Sequence, residues 1–74
     1  MDDITYAKKN NRKLNVVIND GDGERCFHYT ADQLNQSVKR YCAWYNTSVS
    51  RETNGEYDTT ISLQNGIEFK ITLL

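Results

Sequence analysis

The chain has 74 residues, enough for one small domain with a thin stability margin, because a domain of this size buries only about 60% of its unfolded surface. Nine Lys and Arg against ten Asp and Glu give a net charge of −1, which excludes the strongly basic composition of polyanion-binding proteins and the acidity of nucleic-acid mimics. Two cysteines are too few for the disulfide scaffold of a small secreted protein.

The first eleven residues carry only a weak pattern. Ile4 and Tyr6 alternate with polar residues, so we expect residues 1–11 to form a flexible N-terminal segment or an added edge strand beside a single domain at 12–74. Acidic residues stand near the start, where a signal peptide needs positive charge, and no apolar run is long enough to span a membrane. A cytoplasmic protein without a membrane partner is therefore expected.

Two alternating segments predict a first β-hairpin. Apolar residues alternate with polar ones in residues 12–19 and again in residues 24–30. The connecting segment Asp20–Gly23 contains two glycines, which accept the positive φ that hairpin turns require. The pairing that places the large apolar groups on one face sets Val16 opposite Phe27.

The acidic turn has the composition of a calcium-binding loop but not its ligand spacing. With Gly23 as the sixth residue of an EF-hand loop, Asp20 and Asp22 occupy the third and fifth positions. The first and twelfth positions then fall on Ile18 and Tyr29, which cannot supply the required carboxylates. The segment is therefore predicted to be only a turn, with no bound metal.

One helix is predicted from residue 31 to about residue 45. Thr30 is a favourable N-cap, and Gln33 completes a capping box three residues later. Apolar residues then recur with the helical period on the face expected to contact the sheet: Leu34, Val38, Tyr41, Cys42 and Tyr45. The next segment, 46–55, is polar and aperiodic, and is predicted to be a mobile loop.

A second hairpin is predicted in the last third of the chain, where residues 57–63 and 67–73 both alternate. A two-residue Asn-Gly turn would put the two apolar sets on opposite faces. A three-residue loop, Gln64–Gly66, with its glycine in the left-handed conformation of a G1 bulge, instead sets Ile61 opposite Phe69. Burial of one face therefore favours the longer loop.

These elements predict an α+β domain of the order β-β-α-β-β, a four-stranded antiparallel sheet with one helix packed on one face. The other face is expected to be open and mostly polar, without the exposed aromatic residues of an RNA-binding sheet. The predicted core consists of Leu14, Val16, Ile18, Phe27, Tyr29, Leu34, Val38, Tyr41, Ile61, Leu63, Ile67, Phe69, Ile71 and Leu73.

Cys26 and His28 are the residues of catalytic type that lie closest in sequence. On one strand their side chains would lie about 6.5 Å apart, too far for direct proton transfer, which needs heavy atoms within about 3.2 Å. A metal would need further ligands, and only acids or the distant Cys42 remain. No phosphate-binding loop or nucleophile elbow occurs in the sequence. We therefore expect no catalytic residue, no cofactor and no enzymatic activity.

One edge of the predicted helix has the composition of a protein contact. Trp44 projects there beside Tyr41, Ser37 and Arg40, and Arg40 lies four residues before Trp44, so its guanidinium can stack on the indole. Trp, Tyr and Arg are enriched at the energetic centres of protein interfaces. Trp44 is expected to cap the end of the core, to contact a protein partner, or both.

Two alternative functions involve other surfaces. Lys8, Lys9, Arg12 and Lys13 form a local basic cluster, which is the candidate contact of a small nucleic-acid-binding protein whose affinity would fall steeply with salt. A self-associating structural protein would instead use an unpaired strand at the edge of the sheet, so a homodimer is possible.

The size of the chain, its strand-to-strand layout ending at Leu74 and the lack of a catalytic motif resemble small proteins encoded by phages and prophages. Many of these proteins, including anti-CRISPR proteins, are compact α+β modules that cover a surface of a host complex. The resemblance extends over the whole chain and implies an inhibitor or adaptor that binds a protein partner stoichiometrically. It assigns no role to individual residues.

Overall fold

The computed structural model describes residues 3–55 and 58–74. Within these ranges the chain forms an α+β domain with an antiparallel sheet, two helices and five strands. No helix in the described part is long and apolar enough to cross a membrane. The elements in chain order are α1 (Asp3–Asn10), β1 (Leu14–Asn19), β2 (Glu24–Tyr29), α2 (Ala31–Trp44), β3 (Val49–Asn54), β4 (Asp58–Leu63) and β5 (Glu68–Leu73).

The strand order across the sheet is β2-β1-β5-β4-β3, and every neighbouring pair is antiparallel. The C-terminal strand β5 is inserted between β1 and β4, so that Leu14 lies opposite Leu73. This long-range pairing joins the two halves of the chain into one sheet. It leaves β2 and β3 as the two edges.

The first predicted hairpin is confirmed. Val16 lies opposite Phe27, and Gly21 and Gly23 adopt φ values of 92° and 149° in the turn. The side-chain oxygen of Asp20 accepts a hydrogen bond from the Asp22 N–H at 3.0 Å. This carboxylate therefore stabilises the turn itself, as side chains of Asp often do.

The second predicted hairpin is confirmed with the three-residue loop. Gly66 has a φ of 97°, and the N–H of Leu63 donates to the carbonyl of Ile67 at 2.8 Å. Ile61 lies opposite Phe69, as burial of a single face requires. Tyr57, which belongs to the predicted strand before this loop, lies outside the described residues.

Helix α2 begins at the predicted cap. Thr30 Oγ1 accepts from the Gln33 N–H at 3.2 Å, and Gln33 Oε1 accepts from the Thr30 N–H at 2.9 Å, which completes the capping box. Leu34, Val38 and Tyr41 are buried on one face of the helix. The chain leaves α2 through Asn46, which has a φ of 50°.

The N-terminal segment differs from the prediction, because residues 3–10 form helix α1 and not a flexible segment or an edge strand. Ala7 is buried and Ile4, one turn earlier, packs against the same core. The Ala7 carbonyl accepts from the Arg12 N–H at 2.9 Å, beyond Asn11 with a φ of 52°. An apolar contact this small produces little periodicity in the sequence, which explains why the helix was missed.

The prediction of a mobile loop at residues 46–55 was also wrong in part, because Val49–Asn54 forms strand β3. The sheet therefore has five strands and not the four that were predicted. All six residues of β3 are exposed, so neither of its faces needs apolar side chains. Its pairing with β4 contains a register shift between Val49 and Arg51. Without a buried face, the strand shows none of the alternation from which strands are predicted.

The core lies between the two helices and one face of the sheet. The predicted core positions are buried except for three: Phe27 and Tyr29 are half-buried on the edge strand β2, and Leu73 is exposed at the end of the last strand. Thr59 is buried but was not predicted, and its hydroxyl donates to Asn54 Oδ1 at 3.2 Å. Position within the sheet therefore decides burial more than side-chain type does.

Candidate protein-contact site at the end of helix α2

The base of the candidate site is the ring of Tyr41. This residue is only 8% exposed and packs edge-on against Phe69, with the ring centroids 5.4 Å apart at an interplanar angle of 86°. Phe69 is itself fully buried in the central strand β5. The Tyr41 ring is therefore fixed by the core of the protein.

Two exposed aromatic residues pack on the ring of Tyr41. The Trp44 and Tyr41 centroids lie 5.8 Å apart at 55°, and the Tyr45 and Tyr41 centroids lie 6.0 Å apart at 19°. Trp44 is 67% exposed and Tyr45 is 52% exposed. The structure therefore places Trp44 at the surface, not as a buried cap on the core.

The predicted stacking of Arg40 on Trp44 is present. The Arg40 guanidinium carbon lies 5.9 Å from the centre of the Trp44 ring, within the range of about 6 Å that defines a cation–π contact. The two residues are four apart on α2, which brings side chains to the same helix face. We refer to Arg40, Trp44 and Tyr45 as the α2 patch.

The remaining two predicted contact residues are not at the surface. Ser37 and Tyr41 are both buried, so Tyr41 supports the α2 patch from below and Ser37 is not available to a partner. Tyr45 takes a place in the patch that the sequence did not assign to it. It follows the apolar period of the helix, but it is the residue that caps the end of α2, where the core no longer covers it.

The predicted basic cluster is exposed but divided between different structures. Lys8 and Lys9 lie in the last turn of α1, while Lys13 lies just before β1. The Arg12 guanidinium donates to the Leu74 carbonyl at 3.0 Å, so part of this side chain binds the end of the chain. Beside it, Lys8 and Asp32 line a hollow of 60 Å³, where the carboxylate offsets part of the positive charge.

Cys26 and His28 are exposed on the open face of β2, as predicted. The Cys26 thiol donates to Asn15 Oδ1 at 3.0 Å, across the sheet from β2 to β1. Cys26 and Cys42 are both free thiols. The thiol is therefore paired with a neutral amide and not with an imidazole.

A groove of 390 Å³ separates α2 from β3 and β4. Its apolar lining residues are Val38, Val49 and Ile61, and its polar ones are Asn35, Lys39 and Glu52. Asn35 lies about 180° from Trp44 around a helix of 3.6 residues per turn, so the groove and the α2 patch are on opposite flanks of α2. Within residues 3–55 and 58–74, no group of three or more His, Cys, Asp or Glu side chains is placed to hold a metal ion.

The chain matches no protein-family model, and no curated protein or solved structure matches it. The feature that stands out is the α2 patch, where an exposed indole and an exposed phenol ring pack on buried Tyr41 and a guanidinium lies over the indole.

Proposed function

We propose that this protein is a non-enzymatic protein-binding module whose α2 patch contacts a protein partner. The observation that carries the proposal is the packing of Trp44 and Tyr45, 67% and 52% exposed, on the buried ring of Tyr41. Side chains that are already ordered lose less conformational freedom on binding. Trp, Tyr and Arg are also the residues most enriched at interface hot spots.

The free energy available at the patch is large for so small a surface. A Trp side chain buries roughly 150–250 Å² when fully covered, and burial of apolar surface contributes about 25 cal/mol per Å². Covering the exposed two thirds of Trp44 would therefore stabilise a complex by about 3 kcal/mol before entropic costs. In the isolated protein this exposed area contributes nothing to folding, so its placement at the surface favours a role in contact.

The mode of action we propose is stoichiometric binding to a cytoplasmic host complex, as an inhibitor or adaptor of the kind that phages and prophages encode. The small α+β domain and the resemblance described above support this part of the proposal. The partner is a protein, and the contact requires neither a cofactor nor turnover of a substrate.

Affinity capture from a host lysate tests the proposal when wild type is compared with variants of the patch. Arg40→Ala and Trp44→Ala remove the two stacked groups, and Arg51→Ala removes an exposed arginine from β3 as a matched control. We expect wild type and Arg51→Ala to retain the same protein, measured by quantitative mass spectrometry, and both patch variants to lose it. Equal recovery with all four proteins would overturn the assignment of the surface.

A further inference from the structure

The second surface of interest is the outer edge of β2. The hydrogen bonds of the sheet show which residues of β2 direct their backbone N–H and carbonyl groups toward this edge. The Leu74 N–H donates to the Lys13 carbonyl at 3.3 Å, so the backbone groups of Lys13 face β5. Successive residues of a strand direct their hydrogen-bonding groups to alternate sides. The backbone groups of every second residue of β1, beginning with Leu14, therefore face β2. The pairs that they form are Leu14 with Tyr29, Val16 with Phe27 and Ile18 with Arg25.

The other three residues of β2 direct their N–H and carbonyl groups away from the sheet. These residues are Glu24, Cys26 and His28, and all three are exposed. No strand lies beyond β2 in the described part of the chain. An unpaired row of donors and acceptors of this kind is a template for another strand.

Strand β2 carries two charged side chains, Glu24 and Arg25, but none of the backbone irregularity that protects many edge strands. Lysine, proline and β-bulges are common devices against edge-to-edge pairing. β2 contains no lysine or proline, and its register with β1 runs without a shift from Glu24 to Tyr29. The opposite edge, β3, does contain such an irregularity, between Val49 and Arg51. The two edges therefore differ, and β2 is the one open to pairing.

We propose that two copies of this chain pair through β2, antiparallel and about a two-fold axis at Cys26, so that one continuous sheet crosses the dimer. In this register Cys26 lies opposite Cys26 of the second copy. Glu24 lies opposite His28, and Arg25 lies opposite Phe27. Because the axis is two-fold, each of the last two pairs occurs twice.

The side chains of β2 are complementary to themselves in this register. On the open face, the His28 imidazole can donate to the Glu24 carboxylate of the other copy. On the helix face, the Arg25 guanidinium meets the Phe27 ring, which is already stacked on Tyr29 at 5.2 Å. Opposite charges and cation–aromatic pairs directly across from each other stabilise antiparallel strands.

Neither neighbouring register sets Glu24 opposite His28. A shift in one direction sets Arg25 opposite Arg25, which places like charges across the strand pair. A shift in the other direction sets Phe27 opposite Phe27 and separates Glu24 from His28. Charge complementarity therefore favours the register centred on Cys26, and a test must distinguish it from the one centred on Phe27.

Charge-swap variants at the interface provide that test. The dimer dissociation constant of each variant is measured by sedimentation equilibrium under reducing conditions. Glu24→Lys and His28→Glu should each raise the dimer dissociation constant about tenfold or more, because each disrupts two symmetric contacts. The double variant carrying both changes places a lysine opposite a glutamate and should recover the dimer. Asp22→Lys, the same charge change outside the strand, should have no effect. Circular dichroism and melting temperature confirm that each variant folds.

Disulfide trapping tests the register independently. Opposed hydrogen-bonded residues have Cα atoms about 5.5 Å apart, within the disulfide range, whereas the Phe27-centred register holds the two Cys26 Cα atoms about 8 Å apart. With diamide as oxidant, two thiols lose two protons and two electrons to the azo group and form one S–S bond. Cys42→Ser should form a covalent dimer, and Cys26→Ser should not.

Several results would overturn the proposed dimer. In sedimentation equilibrium, these are a monomer at every concentration at which the protein stays in solution, a dimer whose dissociation constant neither single charge change raises, or no recovery in the double variant. In disulfide trapping, the contradicting result is crosslinking through Cys42. The dimer does not depend on the proposed protein partner, because the two surfaces lie at opposite ends of α2. This helix begins just after β2, ends at Trp44 and is about 20 Å long at 1.5 Å per residue. Failure of one proposal therefore leaves the other standing.

Discussion

Tyr41 lies beneath Trp44, with the two ring centroids 5.8 Å apart, and this contact joins the hydrophobic core to the exposed surface. The same ring meets Phe69 in the core and Tyr45 on the surface. A buried aromatic residue thus orders two exposed ones. This arrangement holds the rings of Trp44 and Tyr45 at the surface of a small domain.

We predict that Tyr41 is essential for stability. Tyr41→Ala should lower the free energy of unfolding by about 3–5 kcal/mol, because it leaves a cavity against Phe69. Tyr41→Phe retains the ring contacts and should cost much less. Urea denaturation measures both changes. A Tyr41→Ala protein as stable as Tyr41→Phe would show that this ring is not part of the core.

Gly66 provides a test of the second hairpin. Gly66→Val should lower the free energy of unfolding by more than about 1 kcal/mol, because a β-branched residue is strongly disfavoured at its φ of 97°. A Cβ at this position meets nothing within 4 Å, so the cost is conformational and not steric crowding. Gly66→Asn should be milder, since Asn adopts the left-handed conformation more readily. If thermal melts of the Val variant and wild type coincide, the conformational argument fails.

The acidic turn is predicted not to bind calcium. Asn19 Oδ1 and Asp20 Oδ1 each accept a backbone N–H at 3.0 Å within the turn, and the first and twelfth ligands of an EF-hand are missing. Millimolar calcium, compared with a chelator, should therefore leave the melting temperature unchanged, because a ligand stabilises only a state that binds it. A rise of several degrees would contradict the prediction.

The basic cluster tests the nucleic-acid alternative. If the proposed function is correct, neutralising Lys8, Lys9, Arg12 and Lys13 together should leave partner binding unchanged, although loss of the Arg12 bond to Leu74 should slightly lower the melting temperature. Fluorescence anisotropy with labelled DNA and RNA at two salt concentrations measures the alternative directly. Tight, steeply salt-dependent binding that the neutralised protein lacks would favour nucleic acid over a protein partner.

Both predicted hairpins and the cap of α2 could be predicted because their signals are local. Gly66 specifies the loop conformation, and burial of one face then sets Ile61 opposite Phe69. Thr30 and Gln33 likewise define the start of α2 within four residues. In each case a turn or cap and one buried face determine the structure.

The missed elements are those with little buried apolar surface. Helix α1 contributes chiefly Ile4 and Ala7 to the core, and β3 has no buried residue. The position of β5 in the centre of the sheet depends on pairing between residues such as Leu14 and Leu73, which are distant in sequence. Such pairing leaves no local pattern, so the strand order could not be predicted.

The candidate site was predictable only in part. The spacing of four between Arg40 and Trp44 predicted their contact, but helical projection does not show where the sheet stops covering the helix. For that reason Ser37 was predicted to be a contact residue and is buried, while Tyr45 was not predicted as a contact residue and is exposed.

The most direct test of the proposed function is the dissociation constant of the captured partner for wild type, Arg40→Ala and Arg51→Ala. We predict that Arg40→Ala weakens binding by about 2 kcal/mol, or about 30-fold, because the guanidinium is part of the α2 patch. Its free energy of unfolding should change by less than about 0.5 kcal/mol, since the side chain is exposed. Arg51→Ala should bind like wild type. Equal dissociation constants for Arg40→Ala and wild type would contradict the assignment of the α2 patch as the contact surface.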